Sequence, residues 1–231
     1  ADTLTALENA NATVHSGNQL AYDHVDLSFG GVFADANVRE AFLKTIPRQQ
    51  ILESIVTPVN PDAEVLNSQI FLPTDGDQYT TAVAASGYDQ FTEPDIEGAR
   101  ALLNGATPTV RILYNTNNPN RVDSFRAIQQ SAQQAGFTIV DAGSPDWGSL
   151  LGSGSYDVSI FGWVSPGAGN AALPQIFKSG GGGNYNNYSN STVDTLVDES
   201  QVTVDADELA DLKVQIDTAT AQDFYGLPLF Q

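Results

Sequence analysis

Apolar positions in residues 1–19 are scattered among polar ones without a sustained period, so this stretch reads as a lead-in segment. Leu20, Tyr22, His24, Val25, Leu27 and Phe29 then mix alternation with an apolar run, as a strand covered on both faces does, and Gly30-Gly31 closes it. Asp35 is placed to cap a helix whose buried face is Val38, Phe42 and Ile46, and Pro47 opens a second helix over 48–56. Residues 57–91 carry Pro58, Pro61 and Pro73 among Gly and Asp with no lasting period, which predicts an irregular excursion. Thr92 and Asp95 have capping-box spacing ahead of a helical face of Ile96, Ala99, Leu102 and Leu103, ended by Gly105.

The next fifty residues are the most legible. A strand is predicted over 109–114, then a helix opened by Asn118-Pro119, striped by Val122, Phe125, Ile128, Ala132 and Ala135 and stopped by Gly136. A strand over 137–140, a short helix over 147–151 and a strand over 156–163 complete a β-α-β-α-β series. Such a series implies parallel strands with right-handed crossovers and an α/β fold with a mixed, largely parallel sheet flanked by helices. A turn-rich segment, 165–188, holds Gly180, Gly181, Gly182 and Gly183 with an Asn/Tyr cluster. Ser191 with Asp194 and Asp205 with Glu208 open two further helices, and the chain ends in an apolar strand, 224–230, interrupted by Pro228. Apolar strands at both ends predict that the two ends lie together in the sheet of one lobe spanning 20–231.

Composition narrows the function classes. Hydrophobic residues make up 41% and charged residues 16%, a globular composition. Against 28 Asp and Glu stand 9 Lys and Arg, a net charge of -19 that repels phosphate backbones and argues against nucleic-acid binding; the excess is spread along the chain and suits solubility. No apolar stretch approaches the roughly 20 residues that span a bilayer. The chain has no methionine and opens at Ala1-Asp2 with no signal peptide, so a piece of a longer protein is expected.

Chemistry-bearing patterns are sparse. There is no cysteine, and His15 and His24 have no zinc-ligand spacing, so neither a metal site nor a cofactor is expected. The glycine run lacks the Lys-Ser/Thr ending of a phosphate loop and reads as a flexible loop. Ser153 and Ser155 miss the nucleophile-elbow spacing, and no pair of carboxylates stands out for glycoside hydrolysis. The matches to the glycosylation pattern at Asn11, Asn187 and Asn190 are those an Asn-rich chain produces by chance. One cluster differs: Phe161-Gly162-Trp163 ends a predicted parallel strand, where open α/β sheets hold ligands, and a loop of small residues follows. An aromatic body with backbone and amide groups suits binding of a peptide or sugar without reaction, while core packing accounts for Trp163 equally well.

Several runs together resemble a known family. His24-Val25-Asp26-Leu27-Ser28-Phe29, Phe33-Ala34-Asp35-Ala36-Asn37-Val38-Arg39-Glu40-Ala41-Phe42 and Pro47-Arg48-Gln49-Gln50-Ile51 resemble the start of the second lobe of family 5 solute-binding proteins, the dipeptide, oligopeptide and nickel binders of ABC importers. Asp95-Ile96-Glu97-Gly98-Ala99-Arg100-Ala101-Leu102-Leu103, the stretch from Ala127-Ile128-Gln129-Gln130 to Ala135-Gly136-Phe137, Tyr156-Asp157 through Gly162-Trp163, Asn186-Asn187-Tyr188-Ser189-Asn190 with Val193, Asp194 and Leu196, and Leu227-Pro228-Leu229 are similar to later family motifs and keep the family's order.

The resemblance implies one lobe of a two-lobe, periplasmic-binding-protein-like fold that closes on its solute about a hinge, without catalysis. Its partners would be a peptide or other small solute, the first lobe of the same protein outside this sequence, and ABC permease subunits. Its place would be extracytoplasmic, periplasmic or at the cell surface, anchored to the membrane through a segment outside this sequence. Ligand-binding residues are expected at Trp163, Val164, Ser165, Pro166, Gly167, Asn184 and Tyr185. Peptide-binding members pair an aspartate after this tryptophan with the ligand's amino terminus; here 164–170 holds no carboxylate, which points toward a blocked, cyclic or non-peptide solute. Two other readings stand beside this one: a sensor or adaptor that binds another protein, and a hydrolase on the same kind of fold.

Overall fold

Strand β1 (Ala21–Leu27) lies next to the edge of a five-stranded sheet completed by β2 (Thr109–Tyr114), β3 (Thr138–Asp141), the central β4 (Val158–Val164) and β5 (Gly226–Phe230), in the order β3-β2-β4-β1-β5. The structure is a computed structural model that describes residues 6–7, 9–13, 17, 20–164 and 171–231. β2 pairs in parallel with β3 and β4, and β1 runs antiparallel to β4 and β5, so β1 alone opposes the direction of the other four. The first and last strands are therefore neighbours. Pro228, which cannot donate to a ladder, sits on the edge strand β5, where that loss is tolerated.

One sheet face carries Val25, Leu27, Val110, Ile112, Val158, Ile160, Leu227 and Leu229, all buried. Against it pack α1 (Ala36–Leu43), α2 (Arg48–Ile55), α4 (Ile96–Leu103) and α5 (Pro119–Ala135). Helix starts follow local chemistry: Asp35 accepts from the Asn37 amide and Asn118 from the amides of Asn120 and Arg121. For α4 the cap is Asp95, which accepts from Gly98, while the Thr92 hydroxyl turns back to the Asp89 carbonyl, so the expected capping box is a single-residue cap.

The opposite face is covered by α3 (Asp77–Ser86), the single turn α7 (Leu173–Ile176), α8 (Ser191–Val202) and α9 (Ala206–Gln222), which build a second cluster around Ile70, Phe71, Phe177, Tyr188, Val193, Val197, Ile216 and Tyr225. A further single turn, α6 (Trp147–Leu150), follows β3. The cap of α8 is Asn190, one residue before the Ser191 that spacing suggested; its side chain accepts from Thr192 and Val193.

Residues 57–91, read above as irregular, contain α3. Its buried positions are the small residues Ala82 and Ser86, a face too short in apolar volume to register as a hydrophobic stripe. Gly76 and Gly87, at φ 61° and 74°, bracket it in a conformation that disfavours other residues. Arg48 ties this segment to the sheet. The residue is 1% exposed, and its guanidinium donates to the carbonyls of Phe91, Leu66, Pro228 and Tyr88 and to Asn67 Oδ1, with no carboxylate partner among the described residues. Burial lowers its pKa to about 10, so it remains charged at neutral pH.

Candidate functional site

The antiparallel register between β1 and β4 sets Tyr22 opposite Trp163, His24 opposite Phe161 and Asp26 opposite Ser159. Directly paired residues share a face, so these six side chains form one polar and aromatic strip on the side away from the main core. His24 is fully buried and pairs through Nδ1 with Asp26 Oδ1 at 2.9 Å; the Tyr22 hydroxyl donates to the Gln69 carbonyl at 2.6 Å.

At the carboxyl end of β4 the strip becomes an aromatic assembly. The rings of His24, Trp163 and Tyr185 are nearly parallel: Trp163 lies 6.1 Å and 6° from His24, and 6.1 Å and 10° from Tyr185. Phe161 meets all three edge-on, at 4.3 Å from His24, 5.2 Å from Trp163 and 6.2 Å from Tyr185. The series runs from a buried imidazole outward to two half-buried rings. Edge-to-face and offset contacts of this kind each add about 0.5–1.5 kcal/mol beyond area burial and hold the outer rings in fixed orientation. Trp163 is thus part core and part surface.

The glycine run positions these rings rather than forming a loose loop. A Cβ on Gly181 would stand 2.4 Å from the Pro174 carbonyl oxygen, and one on Gly183 would meet both the Gln175 carbonyl oxygen and the Trp163 ring at 3.2 Å. The Gly183 amide donates to the Gln175 carbonyl at 2.8 Å, clamping the run to α7. Asn184, expected at the ligand, is turned inward. Its amide nitrogen donates to the Lys178 and Tyr188 carbonyls and its oxygen accepts from the Tyr188 amide, so both N–H groups are spent on bracing the loop that presents Tyr185. Neither residue's role could be read from spacing, because both depend on a chain segment packed against them in three dimensions.

Strand alternation sends Val164 to the side opposite Trp163, where it is 74% exposed. The expected ligand residues Ser165, Pro166 and Gly167 lie outside the described residues. Behind Gly162, on the other face from Trp163, Arg121 donates through Nη2 and Nε to the two oxygens of Asp23 at 3.1 and 3.3 Å, and its guanidinium lies 5.2 Å from the Trp147 ring. A Cβ on Gly162 would come within 2.6 Å of Asp23, so glycine there makes room for the ion pair.

Among the described residues no group of three or more His, Cys, Asp or Glu is arranged to hold a metal ion. The hydroxyls of Ser153 and Ser155 bond to each other at 2.7 Å. Among the described residues the most perturbed carboxyl group is Asp217 on α9, fully buried, which accepts from the Gln69 amide at 3.0 Å; burial pushes its pKa up to about 7 against the opposing bonds from Ser68 and Gln69. No helix among the described residues is long and apolar enough to cross a membrane.

Comparison with known proteins agrees with this architecture. Residues 1–185 match the family described as bacterial extracellular solute-binding proteins, family 5 Middle. The chain is 28% identical over 207 residues to the uncharacterized lipoprotein Rv2585c of Mycobacterium tuberculosis, covering 87% of this chain and 36% of that one. Its fold is that of a periplasmic EDTA-binding protein, EppA (TM-score 0.88, 17% identity, all of this chain and 46% of that one), and of NikA from Staphylococcus aureus in complex with Ni(L-His)2 (TM-score 0.84, 21% identity, 99% of this chain and 49% of that one). The chain thus spans about a third of the curated relative's length and about half of these structures.

Proposed function

This chain belongs to the bacterial extracellular solute-binding proteins, family 5, and on that premise we propose that it is one lobe of the substrate-binding component of an ABC importer, capturing a peptide or similar small solute without chemistry. The observation that carries this reading is the aromatic assembly at the carboxyl end of β4, where Trp163 and Tyr185 offer rigid, half-buried ring faces at the end of an open α/β sheet. Ser165, Pro166 and Gly167 are proposed to line the same site, with Asn184 bracing the loop that presents Tyr185. Leu20, Val59 and Val164 are large apolar side chains, 53%, 44% and 74% exposed, near the start of β1 and the ends of α2 and β4. They suit contact with a first lobe that closes over the solute, and ordering two lobes around one ligand is where affinity would arise.

The remaining assignments follow from the same reading. The protein would work outside the cytoplasm, held at the membrane by a lipid anchor as the name of its mycobacterial relative suggests, and would deliver its solute to permease subunits. The match to a family of solute-binding proteins favours this reading over a hydrolase.

The test is a thermal-shift and calorimetric screen of the full-length protein against di- to hexapeptides, blocked peptides, sugars and nickel chelates. A solute that raises the melting temperature, and loses that effect in Trp163→Ala while the unliganded melting temperature holds within a few degrees, supports the proposal. A protein that binds none of them, and instead forms a fixed complex with another protein, would favour the adaptor reading.

A further inference from the structure

Residues 66–72 cross the second face beside β5 as a largely buried stretch that is neither helix nor strand, and a backbone bond from the Leu66 amide to the Leu229 carbonyl, 3.1 Å long, joins it to the sheet. A buried stretch outside regular structure has to find partners for its amides and carbonyls elsewhere. Here side chains supply them: Arg48 donates to the Leu66 carbonyl, Ser86 to the Asn67 carbonyl and Tyr22 to the Gln69 carbonyl, while Tyr79 accepts from the Asn67 amide. Asp217 on α9 accepts from the Gln69 amide at 3.0 Å and from the Ser68 hydroxyl, so both hydrogen bonds it accepts among the described residues come from this one stretch. Ser68 Oγ also accepts from the amides of Ile70 and Phe71, at 3.1 and 2.9 Å, which ties those two residues to the same point.

The groups that face Asp217 from the neighbouring elements are the phenols of Tyr22 on β1, Tyr79 on α3 and Tyr88 just after α3, which burial keeps protonated. Asp26, paired with His24, lies beside Tyr22 in the same buried layer. β5 and the inward residues of α8, Val193, Val197 and Ser200, bring nothing ionisable. Lys213, one turn before Asp217 on α9, is 9% exposed and is drawn to Asp75 instead. Asp75 accepts from the Leu72 amide and is exposed, so closing the stretch does not strip its water. An ionised Asp217 therefore has the Ser68 and Gln69 donors, and no paired cation among the described residues, to replace its hydration. Lifting residues 66–72 lets water reach it without breaking the main core, an opening that costs less than unfolding the lobe. We propose that Asp217 and residues 66–72 form a pH-gated strap: ionisation of the buried carboxyl group loosens the stretch from α9 and from the β5 edge while the main core stays folded.

The carboxyl group has a pKa of about 7 with the strap closed and near 3.9 once hydrated, so the closed state is the one that holds the proton between those values. The opening constant is then level below about pH 4, rises about ten-fold per pH unit up to about pH 7 and levels off again, about a thousand-fold in all. Hydrogen exchange of the full-length protein, followed by mass spectrometry from about pH 4.5 to 8.5 and corrected for intrinsic rates, reads this by comparing peptides that cover 66–72 with peptides that cover β2, in the wild type and in Asp217→Asn. Protection of the strap relative to β2 is expected to fall at least about a hundred-fold across that range in the wild type and to stay level in Asp217→Asn. Equal losses at the strap and at β2 would mean that the charge is relieved by unfolding the whole lobe, and would overturn the strap. Strap protection that ignores pH, or that falls just as far in Asp217→Asn, overturns the role of this carboxyl group. Should Asp217→Asn fail to fold, the wild type alone decides: a strap that loosens ahead of β2 between about pH 4 and 7 supports the proposal, and one that does not overturns it.

Discussion

Replacing Asp217 by asparagine is expected to stabilise the protein, and by an amount that depends on pH in a defined way. The carboxylate is fully buried on α9, with Oδ1 accepting from the Gln69 amide and no cation paired with it among the described residues; burial lifts its pKa to about 7. An unfolded aspartate titrates near 3.9. Between those values the native state keeps a proton that the unfolded chain has shed, so the group costs nothing below about pH 4. Its penalty grows as pH rises from about 4 to 7 and is constant above that. A difference of about three units at 1.36 kcal/mol each makes the full penalty about 4 kcal/mol. The side-chain amide introduced by Asp217→Asn would keep an oxygen for the Gln69 amide and carry no charge to bury. Urea unfolding of both proteins at pH 4, 5.5, 7 and 8.5, followed by tryptophan fluorescence and circular dichroism, isolates this group, because the other carboxylates are common to the pair. Near-equal stability at pH 4 should open into a gap approaching about 4 kcal/mol at pH 8.5. A gap that stays constant across the range, or a wild type more stable than the variant at pH 8.5, would refute the reasoning.

Other expectations can be checked on the same material. Arg48→Met removes the donors that satisfy four buried carbonyls and should cost at least about 3 kcal/mol in urea unfolding, with Arg48→Lys failing to restore it because an ammonium cannot span the same acceptors. Gly183→Ala places a methyl 3.2 Å from the Trp163 ring and should shift tryptophan emission and weaken solute binding for about 1 kcal/mol of lost stability; unchanged emission would mean that the glycine run does not set the ring. With 28 acidic side chains against 9 basic ones, raising KCl from about 0.1 to 1 M should raise the melting temperature by screening self-repulsion, and a flat or falling melting temperature would count against that account.

What was legible in the sequence is what neighbours along the chain decide. Asp35, Asn118 and Asp205 cap their helices because a side chain reaches amides two or three residues ahead, and Gly136 ends α5 because the next turn needs a positive φ, 111° here. The parallel β2-β3-β4 unit follows from alternating strand and helix periods, and the placing of Trp163 at a strand's carboxyl end follows with it. Tertiary structure alone decided the rest. The ring series of His24, Trp163 and Tyr185 exists only because β1 and β4 pair in a register that sets His24 beside Phe161, and because the glycine run clamps onto α7. Helix α3 was hidden because Ala82 and Ser86 bury themselves through smallness rather than hydrophobicity. Asn184, expected at the ligand, and Arg48, placed only at the start of a predicted helix, take their roles from carbonyls, some of them far along the chain, that the fold brings to them. A buried polar group is specified by its partners, and those are chosen by the whole fold.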